Sequence, residues 1–345
     1  MNVADVFNRM ADSYDEIRDL WYAWLFSRLH HIITRYVIRG HNPREVLDVG
    51  CGTGFQSFLH AVGGASVVGI DISEDSVKVA TRKCSFFRPA YVTRLFQPRY
   101  GFVNRYNRLI ASLLNDRLSA GEYQPPTFLV ADATRLPFPD QAFDHVNCCG
   151  STLSFIENHR LALSEIARVL RPGGTFFLEV ESRWNLDVFW SLLDVVIRRR
   201  LGYNGSLEEA RTTLLAPPTR YVLIDYPFGE ADHPIGMRIK LFTNRRLRQE
   251  LSDFGLKVVK TWAVHSVTNL IPSTFLDMGN PPRRLRAFFT FLAAVEERMA
   301  IPVFGCSSVF LSRKIGAHSR TGGASTSRFA GASRRVERTP VISPR

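Results

Sequence analysis

The amino-acid sequence predicts an open α/β fold built around a nucleotide cleft, and three observations carry that expectation. First, residues 45–73 read as strand, glycine turn, helix, strand and acid. Val46, Leu47 and Val49 run into Gly50, Gly52 and Gly54, a helical stretch follows, and a second apolar run stops at Asp71. Second, a further acid, Asp132, closes a third apolar run at 127–131. Third, strand-like and helix-like stretches keep alternating through residue 181. Open α/β sheets bind ligands at strand C-termini, where a glycine turn admits the ligand to the backbone and an acid about 20 residues on takes a ribose hydroxyl.

Composition narrows the class. The chain has 345 residues, 45% hydrophobic and 22% charged, which suits one large α/β domain with insertions or two small domains. Its five cysteines (Cys51, Cys84, Cys148, Cys149 and Cys306) form no C-x-x-C pair, so neither a structural metal nor a disulfide framework is expected, and a cytoplasmic setting is. The first residues carry no basic segment ahead of an apolar core, and no uncharged apolar run approaches about 18 residues, so neither a secretory signal nor a spanning helix is expected. The net charge of +12 is concentrated: residues 84–123 hold six arginines against two acids, and 315–345 hold six against one. The remainder is close to neutral.

Taken in order, residues 1–43 read as helices, with Val6, Phe7, Met10, Tyr14 and Ile17 at three- and four-residue steps before Pro43 turns the chain into the first strand. Their apolar pattern suits a cover over one face of the sheet, or a segment 11–15 that folds over a ligand. After Asp71, Ser73 is placed to cap a helix whose first turn holds Glu74 and Asp75. Roughly 40 residues then separate that helix from the strand at 127–131, where a compact fold needs only a few, so 84–124 is an insertion. It interleaves Phe86, Phe87, Tyr91, Phe96, Tyr100, Phe102 and Tyr106 with arginines, and ends in a helix whose Val103, Tyr106, Leu109, Ile110, Leu113 and Leu114 share a face. Such a segment can be a nucleic-acid groove, a membrane-surface patch or a lid packed on the domain.

A strand is expected at 142–149 and a helix at 160–170, stopped by a turn at 171–174. A strand follows at 175–181 and an amphipathic helix at 183–201. Strands at 221–226 and 237–243 suggest a hairpin, followed by a helix at 244–254 stopped by Gly255. The last strands are expected at 256–264 and 307–312, with a helix-rich excursion at 272–302 between them. Residues 315–345 lack apolar periodicity and read as a disordered basic tail.

The glycine loop is G-x-G-x-G, with Phe55 where a dinucleotide fingerprint needs a later glycine, which disfavours a nicotinamide-dependent oxidoreductase. Segments 46–54, 69–73, 131–138, 143–150 and 170–174 resemble, in order, the successive motifs of class I S-adenosylmethionine-dependent methyltransferases. F-N-R-M-A-D-S-Y-D-E at 7–16 is similar to the N-terminal signature of the group that resembles ubiquinone/menaquinone C-methyltransferases. The resemblance implies a Rossmann-like seven-stranded, mostly parallel sheet with an antiparallel last strand, helices on both faces, a helical insertion and a β-hairpin cap. It implies S-adenosyl-L-methionine as cofactor, and methyl transfer to O, N or C of a small-molecule or lipid-like acceptor.

The resemblance also assigns roles. Gly50, Cys51, Gly52 and Gly54, with Asp48 before them, would admit the methionine end to the backbone and to a helix N-terminus. Asp71 would hold the ribose hydroxyls, Ile72 would pack on the adenine ring, and Asp132 with Ala133 would meet the adenine amine. Cys149 would border the methionine end and Tyr14 would lie over the methyl donor. A general base is needed only if the acceptor must lose a proton, and Glu181, His233 and His265 are the candidates.

The expected organisation is one methyltransferase domain over 1–314, comprising an N-terminal cover (1–43), an inserted basic-aromatic lid (84–124) and a helix-and-hairpin cap (183–243). The tail (315–345) follows. Contact with an anionic membrane surface is expected through 84–124 and 315–345. Nucleic acid is disfavoured, because no N-P-P-Y-like motif occurs. The competing expectation is a catalytically inactive cofactor-binding partner or regulator.

Overall fold

The computed structural model describes residues 2–16, 19–94, 100–198, 200–203, 207–217, 221–228, 235–276, 281–299 and 304–315. The chain enters through α1 (Val3–Met10), closed by a capping box between Asn2 and Asp5. α2 (Leu20–Ile32) follows, capped by Asp19, and continues through a π-helical stretch (Ile33–Ile38) into a single turn, α3 (Arg39–His41). The first unit is β1 (Glu45–Val49), α4 (Phe55–Val62), β2 (Ser66–Asp71) and α5 (Glu74–Cys84). Ser73 caps α5 as its position suggests, its Oγ accepting from Ser76 N at 3.1 Å.

The insertion supplies α6 (Pro89–Val92) and the long α7 (Gly101–Ser119). Then come β3 (Thr127–Val130), β4 (Phe143–Cys148), α8 (Thr152–Phe155), α9 (His159–Val169) and β5 (Leu170–Glu181). α10 (Leu186–Val196), α11 (Leu207–Leu215), β6 (Val222–Phe228), β7 (Ile235–Leu241) and α12 (Asn244–Asp253) follow. β8 (Leu256–Val264), α13 (Arg283–Met299) and β9 (Ser307–Lys314) complete the described chain.

The seven-stranded sheet has the order β3-β2-β1-β4-β5-β9-β8, and β6 with β7 forms a separate two-stranded sheet. Every neighbouring pair from β3 to β5 is parallel, whereas β9 runs antiparallel to both β5 and β8. This is the mostly parallel sheet with an antiparallel last strand that the motifs implied. Alternation along β5 shows how both faces are filled. Phe176, Leu178 and Val180 pack with α9 and α12, while Phe177 packs with α2, α4 and α7 on the other face. Each buried phenylalanine removes enough apolar surface to contribute roughly 1.5–3 kcal/mol.

Three boundaries differ from expectation. The 171–174 turn is part of β5, because Leu170 pairs with Phe143 and the register shifts before His145. The helix expected over 183–201 is confined to α10. Arg183 is buried and donates to the carbonyls of Thr213, Leu214, Ala216 and Pro217, and Asn185 caps the helix that starts after it. The hairpin is shifted two residues toward the N-terminus in its second strand and stays off the main sheet. The tail beyond residue 315 and the hairpin linker 229–234, which holds His233, lie outside the described residues.

The insertion is largely packed. Phe87, Val92, Tyr100, Phe102, Val103, Ile110 and Leu114 are buried in the core with α2 and α4, and the arginine-bearing face of α7 looks outward. Among the described residues, no helix is long and apolar enough to cross a membrane, and no group of three or more His, Cys, Asp or Glu could hold a metal ion.

Candidate functional site

β1, β2, β3 and β4 all end at one rim of the sheet, and the loops leaving them enclose a cavity of about 410 Å³. Tyr14, Gly50, Cys51, Gly52, Asp71, Ile72, Asp132, Ala133 and Cys149 line it, so most of the expected cofactor residues meet there. Asp48 and Gly54 do not line it. Asp48 is buried behind the glycine turn, accepting from Ser57 Oγ at 2.5 Å and Asn147 Nδ2 at 2.7 Å, and desolvation raises its carboxyl to about 6. Gly54 is the left-handed residue that starts α4.

Two glycines of the turn have separate physical roles. Gly50 has φ +69°, and a Cβ there would stand 2.1 Å from Thr152 Oγ1, so no other residue fits. Gly52 has φ +51° with nothing within 4 Å of an added Cβ, which leaves that side of the backbone open to the cavity. Asp71 faces the turn. Its Oδ2 accepts from Gly52 N at 2.8 Å and its Oδ1 from Ser73 N at 2.8 Å, so each oxygen keeps a lone pair for a further donor. Burial raises the Asp71 carboxyl, against the lowering effect of those amides. Asp132 Oδ1 accepts from Thr134 N and Oγ1, both at 2.8 Å, which fixes the loop after β3.

Several participants were missed from sequence. Asp15 accepts from Thr53 Oγ1 at 2.6 Å and Tyr91 OH at 3.2 Å, and pairs with Lys83 Nζ at 2.5 Å. Asn8 Oδ1 accepts from Ser73 Oγ at 2.7 Å and Asp75 N at 3.2 Å. Together these bonds hold the N-terminal segment over the cavity, where Asn2, Val3 and Phe7 join the lining. Phe26, Phe55, Phe155 and Ile156 add apolar wall, and Phe26 stacks on Phe55 with centroids 5.4 Å apart. Gln56 also lines the cavity, with its amide nitrogen buried and unpartnered. Phe7, Asn8 and Asp15 fall within the 7–16 signature, but spacing does not show what they bond, because the Asp15 partners are all beyond residue 50.

Of the base candidates, Glu181 and His265 stand off the cavity. Glu181 is one hydrogen bond behind it, accepting from Ser151 Oγ at 2.8 Å. Burial, then the neighbouring Glu179, raises its carboxyl to about 8. Ser151 sits at φ +57° between cavity residues Gly150 and Thr152, and its N–H donates to Glu179 Oε2 at 2.7 Å. His265 is fully buried elsewhere, stacked on Trp21 at 3.5 Å and bonded to Trp21 O and Thr268 Oγ1. Desolvation lowers it to about 4. Burial also pushes the Tyr14 phenol and the Cys51 and Cys149 thiols upward, leaving them protonated.

Orphaned Gln56, the open side of Gly52 and the spare acceptor capacity of Asp71 fit a ligand carrying both carboxylate and ribose. Two family models described as methyltransferase domains match residues 41–88 and 107–178. In these two segments, about a third of the chain, and in its sheet order, the chain is similar to the class I S-adenosylmethionine-dependent methyltransferases.

Within that class it is similar to the demethylmenaquinone methyltransferase of Symbiobacterium thermophilum, 30% identical over 200 residues, covering 54% of this chain and 65% of that protein. It is also similar to the ubiquinone/menaquinone biosynthesis C-methyltransferase of Bordetella avium, 30% identical over 187 residues, covering 52% and 57%. The chain thus spans less than two thirds of the length of these curated relatives. A solved S-adenosylmethionine-dependent methyltransferase from Methanosarcina mazei aligns with TM-score 0.47 and 18% identity, over 82% of this chain and 97% of that one.

Proposed function

We propose that this chain transfers a methyl group from S-adenosylmethionine to O, N or C of a small-molecule or lipid-like acceptor held in the apolar part of the cavity. The observation that carries this reading is the meeting of Asp71 with the Gly50–Gly52 turn in one cavity, across the ends of β1 and β2. Bound there, the cofactor supplies a methyl group on a sulfonium. Asp71 would accept from the ribose hydroxyls, and the start of α4 with Gln56 would donate to the methionine carboxylate. Ile72 would pack against the adenine, and Asp132 with Ala133 would meet its amine. Tyr14, carried by the N-terminal segment, would shield the transfer position from water.

In-line displacement needs alignment and exclusion of water more than acid–base chemistry, and this cavity is built for the former. Phe7, Phe26, Phe55 and Phe155 suit a flat, apolar acceptor. The names of the two quinone-methylating relatives support the same acceptor class. The insertion and tail would add an electrostatic contact with anionic surfaces, the insertion through its outward arginines, since Phe87, Tyr100 and Phe102 are buried and Tyr91, Tyr106 and Tyr123 half-buried. In this reading 84–124 is a packed lid within a single domain over 1–314.

Calorimetry with S-adenosylhomocysteine tests the cofactor half. Binding should be measurable, and Asp71→Ala should weaken it about 100-fold, since two charge-assisted hydrogen bonds are worth about 3 kcal/mol or more together. No heat at millimolar ligand would sink the proposal. Incubation with labelled methyl donor and an acceptor panel that includes quinol-type compounds tests the other half. Cofactor binding without any turnover would favour the inactive partner.

A further inference from the structure

The rim that opens the cavity also carries a surface that methyl transfer does not use. β5 and β8 both run antiparallel to β9, so they run parallel to each other and end on the same side as β1, β2 and β4. α10 follows the end of β5, and the 265–270 turn follows the end of β8. Trp190 Nε1 donates to Asn269 O at 2.9 Å, and Leu186 N donates to Asn269 Oδ1 at 2.8 Å. From the other side Glu296 of α13 accepts from His265 N at 2.9 Å, Val267 N at 2.9 Å and Thr268 N at 3.0 Å. The two helices therefore share one turn as their foundation, and its Leu270 is exposed.

Each helix turns an apolar stripe outward. On α10, Phe189 (53% exposed), Leu193 and Val196 (77%) recur at four- and three-residue steps. On α13, Phe288 (51%), Phe291 (62%) and Met299 are exposed while Phe289, Leu292 and Ala293 are buried on the opposite side. Exposed large apolar groups in this density mark an interaction site. Among the described residues of the two helices and the turns that end them, the exposed charge is of one sign. Arg198, Arg200, Arg283, Arg284 and Arg298 are exposed, whereas every acid of the two helices is engaged. Asp187 pairs with Tyr203, Asp194 accepts from the backbone at Leu201 and Tyr203, Glu296 holds the turn, and Glu297 meets His31 and Tyr106.

We propose that α10 and α13 form a docking face for an anionic phospholipid surface, their apolar stripes entering at headgroup depth and their arginines meeting lipid phosphates. Arginine-only charge around an apolar stripe is the pattern that such a surface complements. The two helices pack beside the ends of β5 and β8, on the side of the sheet that holds the cavity, so a lipid-like acceptor would arrive from the bilayer side. That consequence rests on the proposed activity; the docking itself does not.

Flotation of the full chain with vesicles tests it, using phosphatidylcholine alone and phosphatidylcholine mixed with phosphatidylglycerol. Wild type should float only with the anionic vesicles and release as salt rises. Phe288→Asp with Phe291→Asp should lower partition about tenfold or more, and Arg283→Gln with Arg284→Gln about fivefold per arginine. Circular dichroism and the melting temperature report folding, and if the phenylalanine pair unfolds, the exposed arginine pair decides. Unchanged partition in the arginine pair overturns the proposal. So does binding that depends only on residues 316–345, or a dimer in sedimentation that the phenylalanine substitutions disperse. Failure to bind S-adenosylhomocysteine would refute the methyltransferase reading and leave this test intact.

Discussion

The Asp15 carboxylate lies 2.5 Å from the Lys83 ammonium, and the lysine side chain is 3% exposed. Because Thr53 and Tyr91 donate to the same carboxylate, one residue joins the N-terminal segment to the glycine turn, to α5 and to the insertion. Burial lowers the Lys83 ammonium and Asp15 partly restores it. Asp15→Asn should therefore strand a buried cation and cost about 3 kcal/mol in urea denaturation. Adding Lys83→Met should recover much of that stability but leave S-adenosylhomocysteine binding weak, because the cover stays loose. Full recovery of binding in the double variant would contradict the clamp.

Gln56 separates folding from binding. Its amide nitrogen is buried and unpartnered, a cost to the ligand-free fold that a bound carboxylate would relieve. Gln56→Leu is expected to hold or raise the melting temperature while weakening S-adenosylhomocysteine binding about fivefold to tenfold. Equal affinity in the variant would remove Gln56 from the ligand site.

Acid should destabilise the fold through buried neutral histidines. Desolvation holds His30, His60 and His265 at about 4, against an ordinary value of 6.5. A histidine lowered in the folded state contributes stability that is fully present above pH 6.5 and lost as pH falls toward 4. Each loss is on the order of 3 kcal/mol, so unfolding is expected before pH 4 is reached. His60 has neither ring nitrogen partnered. His60→Leu should flatten the stability slope across this window by about one proton. Denaturant titrations at several pH values read that slope directly, and an unaltered slope would refute the assignment.

Glu181 titrates in the opposite sense. Its raised carboxyl means stability fully present below 4.5 and lost as pH rises through about 8. Glu181→Gln should therefore raise the melting temperature at alkaline pH. Since Glu181 bonds Ser151 and does not line the cavity, kcat is expected to stay within about threefold. A loss of about 100-fold, with a wild-type kcat profile that rises through pH 8, would instead make it the general base.

The fold was legible because its signals are local. Val46, Leu47 and Val49 before Gly50, or Ser73 before Glu74 and Asp75, state a strand end and a helix start within a few residues. Boundaries failed where a distant partner intervened. Pairing with Phe143 draws Leu170 into β5, and Arg183 is taken from its expected helix by carbonyls some thirty positions later. The cavity's strand-end residues were readable for the same local reason, whereas Gln56 and Phe26 were not.

What the sequence determined alone was the order of strand, turn and acid, because that depends on backbone preferences and spacing along the chain, and its resemblance to the methyltransferases implied the cofactor. Tertiary structure decided the rest. It buried Phe87, Tyr100 and Phe102 of the insertion, set His265 against Trp21 away from the cavity, and brought Asp15 to Lys83 across 68 positions. The physical reason is that burial and charge pairing depend on which elements pack together, and packing partners so far apart leave no periodicity along the chain.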